Sequence, residues 1–147
     1  MMGKTHRAIG YTTTLVLIVY TDIGVIPSLI GFIGCTAPDI DIKLKIRHRG
    51  ITHWVLTSIV LYYLFSIFNK NIAYAFWINY ILHLLADSLT VEGCPLFAPF
   101  YNKRIGLKIF RTNSFIEKLI YYILLIIFVF VLYNVLNNII WITKNYK

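Results

Sequence analysis

Every histidine of this 147-residue chain, and three of its four aspartates, fall in four short segments. These are Lys4-Thr5-His6, Ala37-Pro38-Asp39-Ile40-Asp41, His48-Arg49-Gly50-Ile51-Thr52-His53 and His83-Leu84-Leu85-Ala86-Asp87. Imidazole and carboxylate together are the ligand chemistry of Zn, Mn and non-haem Fe. His83 and Asp87 are four apart, so on a helix both leave one face and can hold one ion. Asp39 and Asp41 are two apart, and in an extended turn they point the same way. The candidate ligands are therefore His6, Asp39, Asp41, His48, His53, His83 and Asp87. They suffice for one or two divalent ions, Zn first, with Mn and Fe as alternatives. Two such ions about 3.5–4 Å apart clamp a phosphoester and generate hydroxide at neutral pH. Asp87, or Glu92 in the turn just beyond it, can take a proton as general base. Arg49, with Lys103 and Arg104 behind it, can hold phosphate by charge-assisted hydrogen bonds.

Each segment also has an ordinary reading. His6 can be an interfacial side chain, and Asp39 and Asp41 can cap a turn or pair with Lys43 and Arg47. His48-Arg49 can belong to a solvated basic loop on lipid headgroups. Glu92 can be a turn carboxylate paired with a loop lysine. His83 and Asp87 resist such a reading, because they end a strongly apolar run where an ionisable pair without a partner is costly. Of the remaining acids, Asp22 is expected to cap a helix, and Glu117 to open the last helix where its charge complements the dipole. Cys35 and Cys94 lack CxxC spacing and are expected to be free thiols.

The elements that must position these residues follow from composition. The chain is 59% hydrophobic and 14% charged, with mean hydropathy +0.71. An average soluble domain is about 45–50% apolar and about 25% charged. Those figures exclude a soluble globule, a disordered chain, collagen and a disulfide scaffold. They imply one domain over residues 1–147, an all-α polytopic membrane bundle of about five helices with a short N-terminal helical hairpin. The clearest spans are residues 51–68, 72–89 and 115–142. Residues 8–37 read as two short helices broken at Thr21-Asp22-Ile23-Gly24, with one kinked helix as the alternative. The basic start followed by an apolar run is like a signal peptide, but no small-x-small site follows, so the segment is expected to be retained.

The basic residues orient this bundle. Lys4 and Arg7, then Lys43, Lys45, Arg47 and Arg49, then Lys103, Arg104, Lys108 and Arg111 fall on one side if the hairpin is right. Lys70 and the tail residues Lys144 and Lys147 fall on the other. The rule that positive loops stay inside makes the first side cytoplasmic. In that arrangement all four polar segments meet at one depth on the cytoplasmic side. The net charge of +8 and pI near 9.6 then reflect an anionic membrane surface rather than nucleic acid. Membrane lipids are the expected partners, a lipid phosphate the expected substrate class, and oligomeric state is not legible. Trp54, Trp77 and Trp141 with the tyrosines fit an interfacial aromatic belt.

The linked patterns Pro38-Asp39-Ile40-Asp41, HRGxTH at 48–53 and HxxxDxxTxxG at 83–93 resemble the bacterial inner-membrane family of membrane-bound metal-dependent hydrolases, the YdjM type. The likeness covers about the first hundred residues. It implies a hydrolase whose metal ligands are drawn from the seven residues above, with Thr52, Thr90 and Gly93 as supporting or turn residues. The family often has Ser after its second motif histidine, where this chain has Trp54. The expected activity is hydrolysis of a phosphoester in a lipid or polyprenyl headgroup at the inner membrane. A metal-ion carrier or sensor, or a non-catalytic structural protein, are the alternatives.

Overall fold

The computed structural model describes residues 1–45 and 48–145, with side chains to residue 137. Arg47 and Lys147, and the side chains of Trp141 and Lys144, lie outside the described residues. Among those described there are six α-helices and no strand: α1 Gly3–Tyr20, α2 Val25–Gly31, α3 Ile40–Lys43, α4 Val55–Ser66, α5 Lys70–Ser88 and α6 Phe115–Asn145. Short 3₁₀ turns over Phe32–Cys35 and Ala37–Asp39 join α2 to α3, and a third, Ile51–His53, precedes α4.

The chain does double back after α1. Thr21 is extended and its hydroxyl donates to the Leu17 carbonyl at 2.6 Å, while Gly24 takes a left-handed φ of 91°. That conformation suits glycine and turns the backbone. Gly10 of α1 then faces Cys35 and Phe32, so closely that an added Cβ would sit 2.4 Å from the Cys35 sulfur. Residue 10 opposite residues 32–35 defines an antiparallel hairpin. Asp22 does not cap α2; Gly24 holds that position without a side-chain cap. The Asp39-Ile40-Asp41 stretch is helical rather than extended, so its two carboxylates point to different partners. α4 is shorter than residues 51–68, because Trp54 is extended and separates it from the preceding turn.

Helix α5 is the axis of the bundle, with α1, α2, α4 and the 32–35 turn packed on it. Small residues make this possible. A Cβ on Gly31 would fall 2.4 Å from the Ala75 Cβ, and one on Gly34 would fall 2.2 Å from the Phe76 carbonyl oxygen. Such close approach maximises dispersion contacts between the helices. Phe76, Tyr80, Leu84 and Cys94 form the buried apolar core. Asn69 starts α5 by accepting from the Asn71 and Ile72 N–H groups at 2.9 and 3.0 Å. The Asn71 amide reaches the Ile23 carbonyl at 3.0 Å, so the α1–α2 turn and the α4–α5 turn share one end.

α6 packs on α1. Its first turn carries Glu117, which is fully buried and accepts from the Met2 N–H, the Thr5 hydroxyl and the Asn113 N–H at 2.5, 3.2 and 2.6 Å. Glu117 is thus more than a dipole partner: it ties α6 to the first turn of α1, one residue from His6.

Among the described residues, one helix alone is long and apolar enough to cross a membrane, over Phe115–Asn137. Val25–Cys35 with Ala37–Lys43 qualifies as a pair bent by 42°. α5 has the length, at 19 residues, but carries Asn79, His83 and Asp87 inward, which lowers its apolarity.

Candidate metal centre

Four elements deliver their polar side chains to the end of the bundle opposite the two turns. His6 comes from the first turns of α1, Asp39 from the 3₁₀ turn before α3, His53 from the turn before α4, and His83 with Asp87 from the last turns of α5. All except Asp39 are at most 1% exposed; the Asp39 side chain is 23% exposed.

The outer partners of two histidines fix which ring nitrogen carries the proton. His83 Nδ1 lies 2.8 Å from the Cys35 carbonyl, an acceptor only, so Nδ1 is the donor. The Thr52 hydroxyl donates to Asp41 Oδ2 at 3.1 Å, so at 3.0 Å it can only accept from His53 Nδ1. With both rings in the neutral form that metal ligation requires, the Nε2 lone pair faces inward, and neither Nε2 atom has a hydrogen-bond partner. What they face is a pair of carboxylates. His53 Nε2 is 3.8 Å from Asp39 Oδ1 and 3.5 Å from Asp87 Oδ2, and His83 Nε2 is 3.5 and 3.9 Å from the same two oxygens.

Lone pairs opposed to carboxylate oxygens repel unless a proton or a metal cation lies between them. The separations suit one: a tetrahedral ion about 2.1 Å from N and O ligands gives edges of roughly 3.4 Å. These four residues therefore offer the donor types a divalent metal takes, with four imidazole–carboxylate separations close to that edge. His6 stacks on His83 with ring centroids 3.6 Å apart, its Nε2 is 3.3 Å from Asp87 Oδ1, and its Nδ1 has no partner. Ligand atoms of His6, His83 and Asp87 lie within 4.8 Å of one another, as do those of Asp39, His48 and His53. The set thus has room to share a second ion.

The other candidates surround this core. Asp41 is fully buried behind His53: Oδ2 is 3.4 Å from His53 Nδ1 and takes the Arg49 N–H at 2.9 Å, while Oδ1 is 3.1 Å from His48 Nδ1. It orients the ring that faces the centre, as carboxylates behind metal-bound histidines do. His48 is 44% exposed at the rim. Arg49 takes a left-handed φ of 60°, which aims its N–H at Asp41 while its side chain crosses to α5. There Nη2 meets Asp87 Oδ1 at 3.0 Å and Glu92 at 3.3 Å, and Nη1 meets the Gly93 carbonyl at 2.7 Å and Thr90 at 3.4 Å. The Met1 amine also lies 2.6 Å from Asp87 Oδ1. Glu92 is half exposed and accepts from Thr112. Arg104 lines a cavity of about 430 Å³ with Arg49, Trp54 and Asn102; Lys103 is exposed.

The Thr90 and Gly93 positions gain a physical reason. Gly93 has a φ of 63°, and a Cβ there would meet the Ile105 carbonyl at 2.9 Å. The loop after α5 folds back through Cys94 N–H to Ile105 O at 2.8 Å and Leu107 N–H to Ser88 O at 2.8 Å, sealing the centre from one side. Both cysteines are free and buried. Burial, with Asp87 nearby, pushes the Cys94 thiol up to about 12. It is therefore a neutral donor to the His53 carbonyl at 3.4 Å, not a thiolate ligand. The sequence reading missed the Cys35 carbonyl, the Tyr80 hydroxyl that donates to the Thr52 carbonyl, and Glu117 with Thr5. For Glu117 a signal existed, since Ser114-Phe115-Ile116-Glu117 has capping-box spacing. A backbone carbonyl leaves none.

Comparison with known proteins agrees with these motifs. The profile of the YdjM inner membrane protein family matches residues 1–144. A relative from Bacillus subtilis (strain 168), the uncharacterized protein YvsG, is 29% identical over 140 residues, covering 82% of this chain and 87% of its own length. No solved structure matches.

Proposed function

The chain belongs to the YdjM inner membrane protein family, and on that premise we propose that it is a multi-pass membrane hydrolase of phosphoesters that uses one or two divalent ions. The observation that carries the reading is the pair of inward Nε2 lone pairs, on His53 and His83, opposed to Asp39 and Asp87 in a buried polar end. His53, His83, Asp39 and Asp87 would hold the ion, Zn before Mn or Fe, with His6 and His48 available to a second. When bound, such an ion supplies Lewis-acid chemistry: it acidifies water and polarises a phosphoryl oxygen.

The remaining work falls to the chain. Asp87, the first base candidate, has its Oδ1 outside the four-residue cage but already occupied by the Met1 amine at 2.6 Å and Arg49 at 3.0 Å. Its part is therefore to hold and anchor the ion rather than to take a proton. Arg49 holds Asp87 ionised and in place by its charge-assisted bond. Glu92, on the solvent side of Arg49, is the second base candidate and can pass a proton outward. Asp41 and Thr52 keep His53 in the required tautomer. The substrate proposed is a phosphoester of a lipid or polyprenyl headgroup, because the polar end is flanked by exposed apolar helix faces and by basic residues. The positive-inside rule assigns that end to the cytoplasm.

The test is metal analysis of the purified chain together with release of phosphate from anionic lipids. Bound metal and turnover, both lost in His83→Ala, are expected. Metal-free protein, or full activity in His83→Ala, contradicts the reading. Metal uptake into proteoliposomes without hydrolysis would favour a carrier instead.

A further inference from the structure

Asp39 is the one member of the four-residue cage with appreciable exposure, 23% against at most 1% for His53, His83 and Asp87. A substrate approaching the cage from outside must pass it. Asp39 opens into a cavity of about 540 Å³ between the first turns of α1 and residues 32–43. Two cations, Arg7 and Lys43, line that cavity, both exposed and neither in an ion pair among the described residues. The same wall carries Phe32, Ile33 and Ile40, and Ile33 and Ile40 are 58% and 47% exposed. The apolar surface continues to Ile42 and Leu44, along the bent segment apolar enough to enter a membrane. The cavity beside Arg49 and Arg104 differs in both respects: it does not reach Asp39, and its wall is mostly polar.

We propose that the α1/32–43 cavity receives the phosphate of a membrane amphiphile, an inference that deepens the hydrolase reading and rests on it for the chemistry alone. Arg7 and Lys43 bind the phosphate oxygens and aim the phosphorus at the Asp39 side of the cage. Phe32, Ile33 and Ile40 cover the first carbons of the hydrocarbon chain, which continues into lipid along the exposed isoleucines. The site thus selects a phosphate that carries an apolar tail.

The probe is radiolabelled dihexanoyl phosphatidic acid in equilibrium dialysis against the full chain in detergent, with protein-free micelles as blank, with and without Mn²⁺. Glycerol 3-phosphate and inorganic phosphate are the tail-free comparisons. The wild-type chain is expected to bind the lipid at least about tenfold more tightly than either. Arg7→Gln and Lys43→Gln each weaken binding about tenfold, the size of one charge-assisted contact. Lys70→Gln, at the far end, serves as the charge control and leaves binding as it was. Equal affinity for glycerol 3-phosphate overturns the proposal, as does an equal loss in Lys70→Gln. A loss confined to Arg104→Gln also overturns it, by moving the phosphate to the other cavity. Failure of the two readings is separable. Lipid binding that depends on Arg7 and Lys43 without turnover removes the hydrolase and keeps the cavity. Turnover whose KM ignores both substitutions removes the cavity and keeps the hydrolase.

Discussion

Helices α5 and α6 are both long and both rich in Leu, Ile, Tyr and Phe, yet they are built in opposite senses. In α6, of residues 119–136 only Val131 is buried, and the apolar side chains point outward. In α5, ten of nineteen residues are buried, and they include Asn79, His83, Asp87 and Ser88. A bilayer rewards the first arrangement directly, because its hydrocarbon covers apolar side chains. It tolerates the second only when polar groups face inward and find partners. The helix that best passes a hydropathy test is therefore the one that does least chemistry. The helix that fails it carries the centre.

Substitutions on the two helices should diverge accordingly. The largest effect is expected at the inward face of α5. His83→Ala and Asp87→Asn should each lower bound metal and hydrolysis by about 10³-fold or more, seen by metal analysis and phosphate release. Next comes the joint between α1 and α6. Glu117→Ala leaves the buried Thr5 hydroxyl and the part-buried Met2 and Asn113 N–H groups without this acceptor and should destabilise the fold by about 2 kcal/mol, seen in denaturation in detergent. A smaller effect is expected one step behind the centre: Asp41→Asn should weaken metal affinity by about 10–100-fold while the protein stays folded. The least effect belongs to the outward face of α6, where Ile126→Ala should change stability by less than about 0.5 kcal/mol and metal content not at all. A large loss in Ile126→Ala would mean that α6 is not simply facing lipid, and would erase the contrast.

Much of this was legible in the sequence, and the limits have physical causes. The convergence of His6, Asp39, His53, His83 and Asp87 followed from topology, since a hairpin over residues 8–37 puts every polar segment at one end. The i, i+4 pair on α5 followed from helical period alone. The division of labour between Asp39 and Asp41 did not, because it depends on whether the stretch is extended or helical, and Pro38 is compatible with both. Likewise, Arg49 was read as a phosphate ligand, but its donors are largely spent on Asp87, Glu92, Gly93 and Thr90, a choice set by its left-handed backbone. Asp22 was misassigned because a glycine at the start of α2 needs no carboxylate cap. Glu117 was undervalued because the capping-box spacing marks only its local bonds, while Thr5 and Met2 lie 112 and 115 residues away.

The central claim is that one divalent ion sits between His53 and His83 on one side and Asp39 and Asp87 on the other. X-ray absorption at the zinc edge of the zinc-loaded chain tests it most directly. Two imidazole nitrogens and two carboxylate oxygens at about 2.0–2.2 Å are expected, with one imidazole missing in His83→Ala. A shell containing sulfur from Cys35 or Cys94, or one unchanged in that variant, would contradict it.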